Sequence, residues 1–343
     1  MRALVTGGGG FIGSHLTERL TALGHAVTVL DRAPARQGSG VRILRSELAD
    51  PSVAATAIEG VDVVFHLAAK VGLGRGFADA PAYTADNDQA TAVLLAALAA
   101  SGFEGRLVLS SSMVVYGEGR YACPTHGVVR AGPRPNADLE AGRFEPACPY
   151  CGGDLAWVTV PESALLDPRS VYAATKVAQE NLCSVWARET SATVVALRYH
   201  NVYGRRLPLG TPYAGVAALF RDRLRSGMAP LVFEDGGQMR DFVHVNDVVT
   251  ANLAAANITS APGTFEPLNV CSGVPVNILD VARALSRAFG PDAPQPVVTG
   301  RYRPGDVRHV VASPDAAAVR LGFHAAVSLA DGMADLAAEP IDP

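Results

Sequence analysis

Tyr172 and Lys176, in the segment VYAATK, are the residues whose types and spacing most plainly suggest chemistry. Four positions apart on a helix, they share one face, so the Lys176 ammonium can lie one turn from the Tyr172 phenol. A free tyrosine, with a pKa near ~10, is a poor base at neutral pH, and a nearby cation favours its phenolate. The pair therefore predicts a general base that takes a proton from a hydroxyl group. The chain holds only two lysines, Lys70 and Lys176, among 29 basic residues, so composition alone does not supply a lysine here. A surface helix can produce the same spacing, and the reading depends on the neighbouring motifs.

Two further constellations stand beside this pair. Gly7, Gly10 and Gly13 form GxxGxxG between a strand-like run and a helical one. Glycine there lets the backbone turn tightly and approach a pyrophosphate at a helix N-terminus, although the same residues also suit simple packing of helix on strand. Asp31 closes AVTVLD, where a carboxylate accepts from an adenosine ribose hydroxyl and repels a 2′-phosphate. That points to NAD rather than NADP, while Arg32 beside it is a group able to hold a phosphate. Cys123 and His126 form CPTH, and Cys148 and Cys151 form CPYCGG. Two such x₂ turns match a closed structural zinc site, and four protein ligands leave no open position for catalysis. A reduced, metal-free loop and a Cys148–Cys151 disulfide are the alternatives. Cys183 and Cys271 read as core thiols, and His66, ending VVFH, as a satisfied histidine near the cofactor loop.

The elements that must position these groups follow from periodicity. ALVT, AVTVLD, VDVVFHLA and RLVLSSS are short apolar runs, separated by a helix from about Ile12 to Leu23 and another through ATAVLLAALAA. This alternation predicts an α/β fold, a doubly wound parallel sheet of Rossmann type with helices on both faces. We expect residues 1–120, 167–202 and 240–262 in this nucleotide-binding part, a Cys/His insertion over 121–166, and a smaller α/β substrate domain from 203–239 and 263–343. At 343 residues and 49% hydrophobic content the chain can bury two cores. A net charge of −4 without a long basic run argues against nucleic acid or an anionic membrane as partner. No window reaches ~18 apolar residues, and Met1 leads directly into RALVTG, so a cytoplasmic protein is expected.

In order along the chain, TGGGGFIG, HLAA, SSSMVVYG, YAATK, NVYG, RDFVHV and RPGD resemble the extended short-chain dehydrogenase/reductases that act on nucleotide sugars. The likeness runs from Arg2 to about Gly332. It implies a catalytic set of Ser112, Tyr172 and Lys176, with Ser112 hydrogen-bonding the reacting hydroxyl. It also implies an NAD site built from Gly7, Gly10, Phe11, Ile12, Gly13, Asp31, Arg32, Glu47, Leu48, Leu67, Ala68, Ala69 and Asn87, with Tyr172 and Lys176. Glu47 stands where the family has aspartate, and Ala90 where it commonly has glycine. Asn201, Arg240, Arg303 and Asp306, with Ser112, match positions around the nucleotide diphosphate sugar. Related dehydratases and decarboxylases carry acids just after the serine position; Met113 and Val114 here cannot transfer a proton. Epimerisation at C4 through a transient keto sugar is the expected reaction. The Cys/His excursion is similar to that of the dTDP-L-rhamnose 4-epimerase type, and a homodimer is the family expectation. A UDP-sugar 4-epimerase, a keto-sugar reductase that releases its cofactor, and a non-catalytic NAD-binding regulator are the competing readings.

Overall fold

The computed structural model describes residues 1–34, 40–72, 76–208 and 215–339. The TPYA portion of the TPYAGVAALFRDRL stretch, residues 211–214, lies outside the described residues. The first part of the chain forms β1 (Arg2–Thr6), α1 (Phe11–Ala22), β2 (Ala26–Asp31), β3 (Val41–Arg45), α2 (Pro51–Ala57), β4 (Val63–His66), α3 (Ala80–Tyr83), α4 (Ala90–Ala100) and β5 (Arg106–Ser112). The insertion contributes β6 (Arg120–Cys123), β7 (Gly127–Val129), α5 (Asn136–Glu140) and β8 (Ala156–Val158). There follow α6 (Val171–Thr190), β9 (Thr193–Tyr199), β10 (Asn201–Tyr203), α7 (Val216–Arg225), β11 (Leu231–Val232), β12 (Met239–His244) and α8 (Val245–Asn257). The chain closes with β13 (Phe265–Val270), β14 (Pro275–Asn277), α9 (Ile278–Phe289), β15 (Val297–Val298), α10 (Asp315–Leu321) and α11 (Leu329–Ala337).

Seven strands build one parallel sheet in the order β13-β9-β5-β4-β1-β2-β3. Their apolar runs are buried on both faces because helices cover both. One core joins Leu16 and Leu20 of α1 to Val248 of α8, and the other joins Leu94 and Leu98 of α4 to Trp186 of α6. Each fully buried leucine contributes about 1.5–3 kcal/mol. The winding reverses between β1 and β4, so a crevice opens at their C-terminal ends.

Two segments lie elsewhere than expected. Phe265–Val270, expected in the substrate domain, pairs parallel with β9 as the edge strand, its Leu268 and Val270 entering the sheet core. Of Met239–His244, residues Arg240–His244 are expected with the nucleotide-binding part, but the strand instead pairs with β10 and β14 in a separate three-stranded sheet. The smaller lobe has its own core, with Phe220, Val232, Leu285 and Met333 at its centre. The insertion forms a third sheet, β7-β6-β8, over a small cluster of Tyr121, Cys123, Val129, Cys148 and Leu155.

Candidate active site

Strand β5 ends on Ser112, and α6 starts at Val171, its first turn capped by the Ser170 hydroxyl, which accepts from Ala173 N at 3.1 Å. Tyr172 is therefore held at a defined helix start, with Lys176 one turn further on. The Lys176 Nζ donates to the Ser110 carbonyl at 2.8 Å and lies 6.0 Å from the centroid of the Tyr172 ring. Burial pushes the Tyr172 phenol up to about 12, opposed by a hydrogen bond with Ser112. Burial likewise brings Lys176 down to about 8. This corrects the expectation that Lys176 by itself draws the phenol toward neutrality. Both groups are desolvated, which penalises phenolate and ammonium alike, so the polypeptide alone keeps the phenol protonated at neutral pH.

Surrounding residues fix the pair in place. The Tyr83 ring lies 6.2 Å from that of Tyr172, and its hydroxyl donates to the Gly72 carbonyl at 2.7 Å. Asn87 accepts from Lys70 N at 2.7 Å and donates to Thr175 Oγ1 at 2.8 Å. It thereby staples the turn after β4 to α6, a supporting task rather than a lining one. Asn87 sits in a π-helical turn, Thr84–Gln89, of the kind that often marks functional sites. His66 is satisfied as expected, with Thr6 Oγ1 at 2.8 Å and Thr91 Oγ1 at 2.9 Å on its two ring nitrogens. Burial lowers its pKa to about 3, which keeps it neutral. Cys183 and Cys271 are buried free thiols.

The crevice beside β1 and β2 holds about 240 Å³ and is lined by Gly7, Gly10, Asp31, Arg32, Glu47, Leu48, Leu67, Ala68 and Ala69. A Cβ on Gly7, whose φ is +72°, would lie 2.6 Å from Ala68 N, and one on Gly13 would lie 2.1 Å from the Gly7 carbonyl oxygen. Only glycine allows this approach, and Gly10 leaves the N-terminus of α1 without a side-chain cap. The Asp31 carboxylate accepts from Gly9 N at 2.9 Å and Ala33 N at 2.8 Å, which aims it along the crevice. Arg32 forks onto Asp86 at 3.2 and 3.0 Å and lies 3.9 Å from Glu47. Its charge is matched by carboxylates, which removes the argument for a 2′-phosphate. Asp86, which sequence reasoning missed, faces Arg32 from 54 positions away, with no local signal to reveal it. Phe11, Ile12 and Gly13 do not line this crevice. Phe11 packs against the smaller lobe's core and Ile12 against the sheet core, while Gly13 serves the close approach of helix to strand.

A second cleft, of about 440 Å³, opens beside Ser112 and is lined by Met113, Val114, Arg169, Ser170, Arg303 and Asp306 among others. The Arg303 guanidinium stacks 5.0 Å from the Phe233 ring centroid. Asn201 carries a buried Oδ1 with no hydrogen-bond partner among the described residues. Arg240 is arranged otherwise than a free diphosphate ligand. Its Nη1 donates to the Met239 and Arg308 carbonyls at 2.9 and 2.7 Å and its Nη2 to the Val307 carbonyl at 2.7 Å, so it props the loop behind the cleft. Arg169, also missed, lines the cleft and pairs with Asp167 at 2.5 Å. Its position three residues before Tyr172 was the available clue.

In the insertion, the ligand atoms of Cys123, His126, Cys148 and Cys151 all lie within 4.8 Å of one another. The Cys123 and Cys151 sulfurs are 3.8 Å apart, and His126 Nδ1 is 3.5 Å from Cys123 Sγ and 3.6 Å from Cys148 Sγ. A tetrahedral centre with ~2.3 Å metal–sulfur bonds separates its sulfurs by roughly 3.8 Å. A disulfide would need about 2.05 Å, and all four residues converge although 21 positions part the pairs.

The model of the NAD dependent epimerase/dehydratase family matches residues 3–141 and 157–271, and the chain belongs to that family. The match passes over residues 142–156, where Cys148 and Cys151 lie. A dTDP-L-rhamnose 4-epimerase of Burkholderia thailandensis is 33% identical over 98% of this chain and 93% of its own length. Among solved structures, UDP-glucose 4-epimerase of Thermotoga maritima, with UDP-glucose, superimposes with a TM-score of 0.80 at 28% identity over 98% of this chain and 97% of the other. UDP-glucose 4-epimerase of Thermus thermophilus in complex with NAD gives 0.78 at 29% identity, with 98% of each chain covered.

Proposed function

We propose that this chain is an NAD-dependent nucleotide-sugar 4-epimerase acting on dTDP-L-rhamnose or a related dTDP or UDP hexose. The observation that carries the reading is the cleft beside Ser112, where the two residues that follow it are Met113 and Val114. Neither can take or give a proton, so the wall next to the reacting carbon does not support elimination or decarboxylation. Returning the hydrogen to the opposite face of the same carbon needs no further acid. Gly7, Gly10, Asp31, Glu47, Leu48, Leu67, Ala68 and Ala69 would hold NAD, and Lys176 its nicotinamide ribose. NAD when bound supplies a hydride acceptor that can give back what it takes, together with a positive ring.

With NAD bound, its positive ring and the Lys176 ammonium would favour the Tyr172 phenolate, which takes the C4 hydroxyl proton and later returns it, with Ser112 hydrogen-bonding the sugar oxygen throughout. Lys176 offsets the negative charge that the Tyr172 oxygen carries before it takes that proton and after it gives it back. Arg303 would hold the nucleotide diphosphate through its permanent charge, with Asn201 and Asp306 placed around it. The choice of dTDP-L-rhamnose rests on the Burkholderia relative and on the Cys/His excursion. The cluster in that excursion would hold zinc as a structural ion, and the chain would act as a homodimer, with Leu182 and Val185 of α6 exposed on its outer face. Metal analysis of purified protein is expected to find one zinc per chain; a metal-free protein with freely reactive thiols excludes the ion.

Incubation with dTDP-L-rhamnose and with UDP-glucose should yield the C4 epimer of one of them without net reduction of nicotinamide. Substrate deuterated at C4 should keep its label through inversion. Loss of the label to water, or turnover of neither compound, would sink the reading.

A further inference from the structure

A buried cluster of charges lies between the Cys/His insertion and the substrate cleft, and the proposed reaction does not use it. Arg134, from the insertion, forks onto Glu234 at 3.0 and 2.9 Å and donates to the Asp306 carbonyl at 2.8 Å. Arg308 donates to the same Glu234 at 2.7 Å and reaches back to Glu145 of the insertion at 2.8 and 2.6 Å. The second oxygen of Glu145 meets His309 Nε2 at 2.7 Å. The side chains of Arg134, Glu234 and Arg308 are only 3%, 2% and 1% exposed. Charges this deeply buried are tolerated only in pairs, and removing one leaves its partners uncompensated. Glu234 also holds a left-handed φ of 52°, a conformation that a non-glycine residue keeps only where its surroundings demand it.

These bonds converge on one loop. Residues 303–307 line the cleft, and the cluster grips the loop at Asp306, Arg308 and His309. The two charged residues of the insertion that make the grip, Arg134 and Glu145, lie between the two ligand pairs, on the arc from 127 to 147, while Tyr121, whose hydroxyl accepts from His309 N at 3.2 Å, stands just before the first pair. An ion joining Cys123 and His126 to Cys148 and Cys151 closes that arc at its ends, and closure restricts everything between them.

We propose that the insertion is a clamp on the substrate-binding loop, with Arg134 and Glu145 as positioning residues whose hold depends on a metal at the Cys/His cluster. The proposal rests on reading the 440 Å³ cleft as the sugar-nucleotide site. The test uses the full chain in three forms, Arg134→Met, Glu145→Gln and wild type stripped of metal, each compared with the zinc-loaded protein. Amides of residues 301–309 should exchange with solvent at least about tenfold faster, while those of β1 and α1 keep their rates. KM for the sugar nucleotide should rise by about tenfold with kcat changed less than about threefold, and Kd for NAD should stay constant. Unchanged exchange at 301–309 in all three forms overturns the clamp, as does an equal loss of kcat and NAD affinity. If Arg134→Met fails to accumulate, Glu145→Gln decides alone, because Glu145 sits at the cluster's exposed edge with 49% of its side chain open. Should neither dTDP-L-rhamnose nor UDP-glucose be turned over, the exchange data still judge the clamp, so the two proposals fail separately.

Discussion

The glycine turn lines the crevice beside β1 and β2, and the Cys/His insertion stands behind the loop that lines the second cleft, but the two are held by different kinds of contact. Around the turn, fit comes from the absence of atoms: Gly7 and Gly13 let α1 approach β1 and the loop after β4, and a methyl group at either meets backbone at 2.6 or 2.1 Å. Around the insertion, fit comes from charge. Glu118 accepts from Arg308 N across 190 positions, and Arg134 reaches Asp306 across 172. The first region is built from the β1–α1 turn and the loop after β4, and is rigid by packing. The second joins distant segments through pairs that stabilise each other only when complete. Disturbing the first region should damage the whole molecule, and disturbing the second should loosen one loop.

The sharpest contrast is set by Tyr172→Phe, which removes the proposed proton carrier hydrogen-bonded to Ser112 and should leave packing in both regions intact. Turnover should fall by about 10³-fold, with NAD affinity retained, as read by steady-state kinetics and titration. Loss below tenfold would take Tyr172 out of the chemistry. Gly13→Ala comes next. Its Cβ has no room against the Gly7 carbonyl oxygen, so the fold should lose on the order of 2–4 kcal/mol and release NAD, measured by denaturant unfolding and binding. A variant as stable as wild type would show that the turn yields.

The third prediction concerns pH. Lys176 is held at about 8, below the value near ~10.4 of an unfolded lysine, so between these pH values the folded protein binds fewer protons than the unfolded one. Its ammonium therefore opposes folding below pH 8, and that penalty fades as pH rises. The stability of the cofactor-free protein, measured against Lys176→Met, should rise from pH 8 to 10 by roughly 2–3 kcal/mol. A flat difference would place Lys176 in a wetter site than its burial indicates. The smallest effect on the nucleotide half should come from Cys148→Ser. Exchange protection across β6 and β8 should fall, while Kd for NAD moves by less than about twofold. A matching loss in β1 would break the contrast between the regions.

Much of the nucleotide half is legible in the sequence because its signals are local. The glycine spacing, Asp31 at a strand end and Tyr172 four residues before Lys176 each lie within a few positions of what they act on. His66 and the two core thiols likewise declared themselves through apolar neighbours. The assignments that shifted depended on contacts across the chain. Arg240 matches a position around the nucleotide diphosphate, yet two loop carbonyls and that of its neighbour Met239 take it up. Phe265–Val270 has no local mark of belonging to the main sheet, and only its register with β9 places it there. The expected effect of Lys176 on Tyr172 failed for another reason: spacing gives proximity, whereas a pKa also depends on how much water remains around both groups.

What the sequence alone determined is the chemistry on offer: a phenol with a nearby amine, a glycine turn that admits a phosphate, and four soft ligands in two pairs. These follow from residue type and short-range geometry, which a helix or turn imposes wherever it lies. Only the tertiary structure decided which charges face each other. Arg134, Glu234 and Arg308 come from separate segments, and their pairing exists because folding removes them together from water, where an unpaired charge is too costly to bury.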